Sequence, residues 1–240
     1  TRRSSDLVEC THEYWRSNGK FTPNITLRLA SGGYIGGGLY HSQNLEGALT
    51  TLPGARIVCP SFADDAAGLL RTSMRSKGFT LYLEPKALYN SVEAAAVVPE
   101  EFEVPFGKAR IRREGTDLTI ITYGNTTHFC LDVAERLARE GVGSVEVIDL
   151  RSLIPLDKEA IFASVRKTGK VMVVHEDKVF SGFGAEIAAQ IAGEMFRYLD
   201  APVQRVGSTF TPVGFNPILE RAILPNDEKI YKAAKELLEF

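Results

Sequence analysis

The stretch from Ser31 to Gln43 holds the densest chemical signal in the chain, with glycines at 32, 33, 36, 37 and 38 and then His41, Ser42 and Gln43. Glycine admits backbone turns and close approaches that a Cβ forbids, so such a loop either packs tightly on its neighbours or brings main chain up to a ligand. His41 tilts the choice toward chemistry, because an imidazole changes charge near neutral pH. Nucleotide fingerprints fail here. Position 41 is His where a dinucleotide motif needs its third glycine, and no Lys follows Gly38 as a phosphate loop requires. Ser42 lacks the G-x-S-x-G setting of a nucleophile.

The other candidates are weaker. His175-Glu176 begins like a zinc-protease motif, but position 179 is Val, which removes the second ligand. His12 and His128 have no motif around them and read as structural or solvated. Gly182-Phe183-Gly184 precedes a helical pattern and is either an anion-holding helix start or a plain glycine hinge. Asp64-Asp65 opens another helix, where acidic side chains favour the dipole. The basic run Lys108 to Arg113 alternates with Ala109 and Ile111 as strand-edge charge does.

Positioning these residues requires a regular α/β frame, and the second half of the chain supplies one. Strand-like Leu118–Tyr123, Val145–Leu150, Lys170–His175 and Pro202–Val206 alternate with helical patterns at Thr127–Glu140, Lys158–Lys167, Ala185–Tyr198 and Glu228–Leu238. That alternation implies a parallel sheet covered on both faces. Upstream, Asn24–Leu29, Ala55–Cys59 and Phe79–Leu83 read as strands, with helices at Leu45–Thr51 and Asp64–Met74. Three parallel strands and two helices look like half a domain, the rest lying before Thr1. The stretch Asn90 to Gly107 lacks periodicity and reads as a linker.

With 240 residues the chain has room for one large or two small domains, at roughly 150 residues each. Lys and Arg total 28 against 30 for Asp and Glu, a net charge of -2 that argues against nucleic acid or an anionic membrane as partner. No apolar run approaches the roughly 20 residues of a membrane span. Cys10, Cys59 and Cys130 are far apart and odd in number, so neither a disulfide framework nor a zinc site is expected. No signal-peptide core follows the N-terminus and no Met starts the chain, so it reads as a cytoplasmic protein or a piece of a longer one.

Taken in order, several segments resemble the beta subunit of the thiamine-diphosphate-dependent 2-oxo acid dehydrogenases. They are Leu39–Gln43, Leu52-Pro53-Gly54, Ile57–Pro60, Gly68–Leu70, Glu84–Tyr89, Val147–Asp157, Gly182–Ile187, Asp200–Pro202 and Arg205–Gly207. The Tyr40-His41-Ser42-Gln43 and Glu84-Pro85-Lys86 runs look most like the branched-chain, 2-oxoisovalerate type. The resemblance implies an α/β fold: residues 1–88 as the C-terminal part of a pyrimidine-binding transketolase-like domain, 89–103 as a linker, and 104–240 as a transketolase C-terminal-like parallel-sheet domain.

It further implies that His41 is the catalytic histidine, while thiamine diphosphate and its magnesium are held by an alpha subunit, or fused alpha region, and by residues upstream. No cofactor-binding residue is expected within the chain itself. A potassium ion is implied near Pro23, Ile25 and Thr26, with Ser73, Ser76 and Gly78 opposite. Here Ser76 replaces an acidic ligand and Gly78 an amide, which weakens a hard-cation site. Implied partners are the alpha part, a second copy of this chain and the lipoyl acyltransferase core. Pyruvate and acetoin dehydrogenase beta subunits are the nearest alternatives, and a docking module without activity is an alternative of another class.

Overall fold

A computed structural model describes residues 2–240, with side chains from residue 6 onward. The β-branched runs form two sheets. The first contains β1 (Asn24–Ser31), β2 (Ala55–Val58) and β3 (Gly78–Pro85); the second contains β4 (Arg110–Arg113), β5 (Leu118–Thr122), β6 (Val145–Asp149), β8 (Val171–Lys178) and β9 (Gln204–Ser208). Between β6 and β8 the chain sends β7 (Ser152–Ile154) across to the first sheet, where Ile154 pairs antiparallel with Ile57. The strand orders are β1-β3-β2-β7 and β4-β6-β5-β8-β9. The first sheet therefore has four strands rather than the expected three, and the fourth is lent by the second half of the chain. The second sheet is parallel except at its edge, where β4 runs antiparallel to β6.

The helices are α1 (Arg2–Arg16), α2 (Gly38–His41), α3 (Glu46–Leu49), α4 (Ala63–Arg75), α5 (Thr126–Arg139), α6 (Lys158–Thr168), α7 (Phe183–Glu194), α8 (Pro217–Ile223) and α9 (Asp227–Glu239). Short polar caps start several of them. The Asp157 carboxylate accepts the Ala160 amide and the Asn226 side chain accepts that of Lys229, satisfying donors that a first helical turn leaves free. Among the described residues no helix is long and apolar enough to cross a membrane.

One apolar core runs through both sheets. It joins Ile57, Leu81 and Leu83 of the first to Ile121, Ile148 and Val173 of the second, with Ile161, Ile187 and Ile191 closing it from α6 and α7. A second cluster lies between the second sheet and α5 and α9, around Leu118, Leu137, Ile230 and Leu237. Residues 89–107 form only turns and bends, but they are not loose. Ala94 and Val104 are buried, Arg71 donates to the carbonyls of Pro99 and Phe102, and Phe102 and Phe106 pack over Leu69 and Tyr82. The stretch is a strap laid across α4.

The two halves are also joined by buried charge. Asp65 and Asp149 are fully buried, and Arg112, itself only 7% exposed, bonds to both carboxylates. Arg151 pairs with Asp65 at 2.7 Å and donates to the Lys108 and Ala109 carbonyls, while Ser61 donates to Asp149 at 2.9 Å. Asp65 was expected to do no more than favour the dipole of α4; instead its first-turn place aims it at two arginines of the other half. The basic run likewise divides. Arg110 is an exposed edge charge, whereas Arg112 turns inward and stacks over Phe62 at 4.0 Å.

Removing one partner of such a cluster strands an uncompensated buried charge. Asp65→Ala is expected to destabilise the protein by about 3–5 kcal/mol, whereas Lys232→Ala, on the solvent-exposed pair with Glu236, should cost less than about 1 kcal/mol. Urea denaturation midpoints of the two variants check the contrast.

Candidate active site

The C-terminal ends of β1, β3, β5 and β8 meet between the two sheets, and the glycine loop folds over this junction. It leaves β1 at Ser31, turns through Gly32 and Gly33, and ends in α2, a single helical turn that carries His41 exposed at its end. Tyr34 sits in the left-handed region at φ 62°, held there by its hydroxyl bond to the Pro225 carbonyl at 2.6 Å and by Phe129, 5.4 Å from ring to ring. Gly32 lies at φ 86°, and a Cβ there would come within 2.6 Å of the Glu176 carboxylate. The loop can adopt this path only without side chains at that contact.

The second half of the chain grips the loop at several points. The Gly33 amide donates to Glu176 Oε1 at 2.5 Å, and the Gly36 amide to Glu220 Oε1 at 3.3 Å. Beyond His41, Lys178 Nζ donates to Gln43 Oε1 at 3.0 Å, and the Gly47 amide donates to Asp177 Oδ2 at 3.0 Å. Three consecutive residues at the end of β8 thus hold both sides of the His41 loop. Across the loop the Gly32 amide donates to the Gln43 carbonyl at 3.2 Å, which ties its two limbs together.

Beneath the loop lies a buried polar pocket bordered by Ser31, Cys59, Tyr123, Asn125, Glu46 and Glu176. Burial, reinforced by the neighbouring Asp177, pushes the Glu46 carboxyl up to about 7. Glu176 is pushed up to about 8, mainly by burial and against the pull of the Gly33 amide, with Glu46 adding repulsion and Lys86 opposing it. The Ser31 and Tyr123 hydroxyls find no partner among the described residues. His175, stacked flat against Tyr123 at 6.3 Å, is fully buried, and desolvation lowers it to about 4, so it is neutral at pH 7.

The structure gives each of the sequence candidates a place. His41 is exposed at the loop tip. His175 is a core imidazole, and Gly182 and Gly184 are the residues that make room for its ring: a Cβ at Gly182 would lie 2.7 Å from His175 Cε1. A Cβ at Gly182 would also clash with the Lys178 carbonyl oxygen, and one at Gly184 with the His175 ring. His128 bonds to the Ser61 carbonyl at 2.8 Å and packs on Phe62, and His12 lies beside Trp15, both in structural settings. Ile25 and Thr26 lie on β1, where they pair with Phe79 and Thr80, one step from Gly78. Ser73 and Ser76 sit at the end of α4, and their hydroxyls donate to the carbonyls of Leu69 and Thr72. Among the described residues no group of three or more His, Cys, Asp or Glu is arranged to hold a metal. The anchors Glu176 and Glu220 escaped the sequence reading. Glu176 stood inside a failed zinc pattern, and Glu220 belonged to no motif.

Because folding raises Glu46 and Glu176, the folded chain holds more protons than the unfolded one from about pH 4.5 to 8, and stability falls as pH rises through that window. His175 acts in the opposite sense, but only between about 4 and 6.5. Melting temperature is therefore expected to drop from pH 6.5 to about 8.5. Glu176→Gln, which copies the neutral acid, should flatten that slope, as thermal melts across the range would record.

The profile of the transketolase C-terminal domain matches residues 107–230. The 2-oxoisovalerate dehydrogenase subunit beta of Bacillus subtilis (strain 168) is 40% identical over 235 residues, covering 98% of this chain and 71% of the relative. The pyruvate dehydrogenase E1 component subunit beta of the same organism is 39% identical, and that of Staphylococcus aureus (strain Mu50 / ATCC 700699) 41%, each covering 94% of this chain and 69% of the relative. Among solved structures, a split gene transketolase in an inactive beta4 tetramer superimposes with a TM-score of 0.72 over 97% of this chain and 74% of that one, at 21% identity, a likeness of fold. The chain has the transketolase-like α/β fold and belongs to the family of 2-oxo acid dehydrogenase beta subunits.

Proposed function

We propose that this chain is the His41-bearing part of the beta subunit of a dehydrogenase that decarboxylates branched-chain 2-oxo acids and passes the acyl group to lipoyl-lysine. The observation that carries the reading is the placement of His41: exposed at the tip of a loop whose backbone is fixed from the opposite sheet. A titratable side chain on a rigid, solvent-facing turn suits proton transfer better than core packing. Relatives of both the 2-oxoisovalerate and pyruvate types stand at equal distance, so the substrate assignment rests on Tyr40-His41-Ser42-Gln43 and Glu84-Pro85-Lys86. Supporting partners on this reading are an alpha subunit or fused alpha region, a second copy of the chain and the lipoyl acyltransferase core.

Thiamine diphosphate, when bound, supplies the carbanion chemistry that breaks the carboxyl bond. On this reading the diphosphate and its magnesium are held by other parts of the enzyme. This chain contributes His41. As the imidazolium it pairs with the substrate carboxylate, and as a proton carrier at the ring nitrogen it serves the lipoyl sulfur during acyl transfer. The exposed side chains of Leu39 and Tyr40 flank it with apolar surface. On the same reading a potassium ion would sit at Ile25 and Thr26, where neutral oxygens would suit a monovalent ion better than a divalent one.

In the assembled dehydrogenase, His41→Ala is expected to leave the melting temperature nearly unchanged while lipoyl-dependent acyl transfer falls by about 10²–10⁴. A lowered melting temperature with normal turnover per folded molecule would overturn the role. For the substrate, kcat/KM should favour 2-oxoisovalerate over pyruvate. A pocket that differs by a few methylenes separates such substrates by only about 1–3 kcal/mol, so a preference for pyruvate in that assay would refute the branched-chain assignment and leave the role of His41 standing.

A further inference from the structure

We propose that Glu176 is the positioning residue for His41, a carboxyl of the second sheet that sets the catalytic loop through the Gly33 amide; the inference rests on the reading of His41 as catalytic. Four observations carry it. Glu176 is buried, and its Oε1 accepts the Gly33 amide at 2.5 Å. Gly32 passes so close to the same carboxyl that no side chain fits between them. A Cβ built on Gly33 would lie 3.4 Å from the Ser42 Cβ, so the two limbs of the loop run close together beside His41. The Gly32 amide bonds to the Gln43 carbonyl, one residue further on.

The path from Glu176 to the limb that carries His41 therefore runs through two hydrogen bonds, one from the Gly33 amide to the carboxyl and one from the Gly32 amide to the Gln43 carbonyl, two residues beyond His41. Lys178, on the same face of β8, secures the Gln43 side chain, so the strand end defines where the limb carrying His41 sits. Glu220 anchors the middle of the turn at Gly36 with longer bonds, 3.3 and 3.4 Å, and so constrains it less. The contact requires an acceptor oxygen at that spot and no negative charge. The charged and titratable neighbours of Glu176 are Glu46, Lys86, Glu220, Tyr34, Cys59 and Tyr123, and its raised carboxyl stays largely protonated at neutral pH. An amide can meet the same requirement.

The test compares Glu176→Gln, Glu176→Asp and Glu176→Ala in the assembled dehydrogenase, alone and combined with His41→Ala. Amide hydrogen exchange across residues 32–43 reads the loop, and lipoyl-dependent turnover reads the chemistry. Glu176→Ala and Glu176→Asp, which remove or withdraw the acceptor, should speed exchange in that segment by about tenfold or more and leave the strands unaffected. Turnover should fall by about tenfold, with KM for the 2-oxo acid within about twofold. Glu176→Gln should recover most of both losses. In the His41→Ala background, Glu176→Ala should add no further loss of turnover.

Unchanged exchange in residues 32–43 in both Glu176→Ala and Glu176→Asp would overturn the proposal, as would a Gln variant as impaired as Asp. Should the Ala variant fail to fold, the Gln and Asp pair decides alone. If His41→Ala itself keeps full turnover, the catalytic reading of His41 fails, and the exchange data still report whether Glu176 holds the loop.

Discussion

Among the described residues, the cations that meet Asp65 all come from the other half of the chain, and the rest of the molecule is arranged around that fact. It is buried at the start of a helix packed on the first sheet, and the arginines that compensate it, Arg112 and Arg151, come from the edge strand and the β6–β7 turn of the second half. A buried carboxylate left without partners costs several kcal/mol, so the halves cannot separate without paying for it. Arg151 meets the geometric demand at φ 57°, a left-handed conformation that L-residues adopt only under constraint, and the two backbone carbonyls it also serves fix the fork of its guanidinium. The same turn then delivers β7 to β2. One ion cluster and one three-residue strand thus set the two sheets in register.

That register is what makes the loop at the other side of the junction possible. Once the sheets are fixed, the end of β8 lies under the end of β1, and successive residues of β8 point to alternate faces. His175 goes inward to Tyr123 and the glycines of α7, Glu176 and Lys178 go to the loop, and Asp177 reaches the start of α3. A strand end is a stiffer support than a loop, and a side chain presented on a turn gains precision when its backbone is bonded to such a support. The glycine loop on its own would be the most permissive stretch of the chain. Bonded to β8 it becomes a fixed platform.

Much of this frame was legible in the residues, and the exceptions share a cause. The strands and helices of the second half stand within a few residues of their sequence patterns, because each is a run of apolar side chains with its own period: Leu118–Tyr123 became Leu118–Thr122, and Thr127–Glu140 became Thr126–Arg139. β7 was invisible, since three residues have no period and its pairing partner lies almost a hundred positions away. The short α8, opened by Asn216 and Pro217, was likewise too brief for a helical period. His41 stood out because its glycines are local. Its supports, Glu176 and Glu220, did not, because a buried carboxyl that accepts a distant backbone amide leaves no mark on its neighbours in sequence.

The charge pattern at the junction follows from the same division between local and distant. Asp65 and Asp149 meet guanidinium groups, so their burial is compensated by charge, although burial still pushes Asp149 up. Glu46 and Glu176 meet mainly amides. Glu46 accepts Asn44 Nδ2 at 3.1 Å and the Leu45 amide at 3.0 Å, and Glu176 accepts Gly33. Neutral donors stabilise an anion less than an arginine does, so these two carboxyls are cheapest to bury with a proton on them. The ion cluster therefore acts as a lock that depends on charge, while the pair beneath the loop depends on hydrogen-bond geometry and tolerates neutrality. The backbone of the loop is therefore held by hydrogen bonds to an uncharged acceptor, which keep their geometry without a buried charge to compensate.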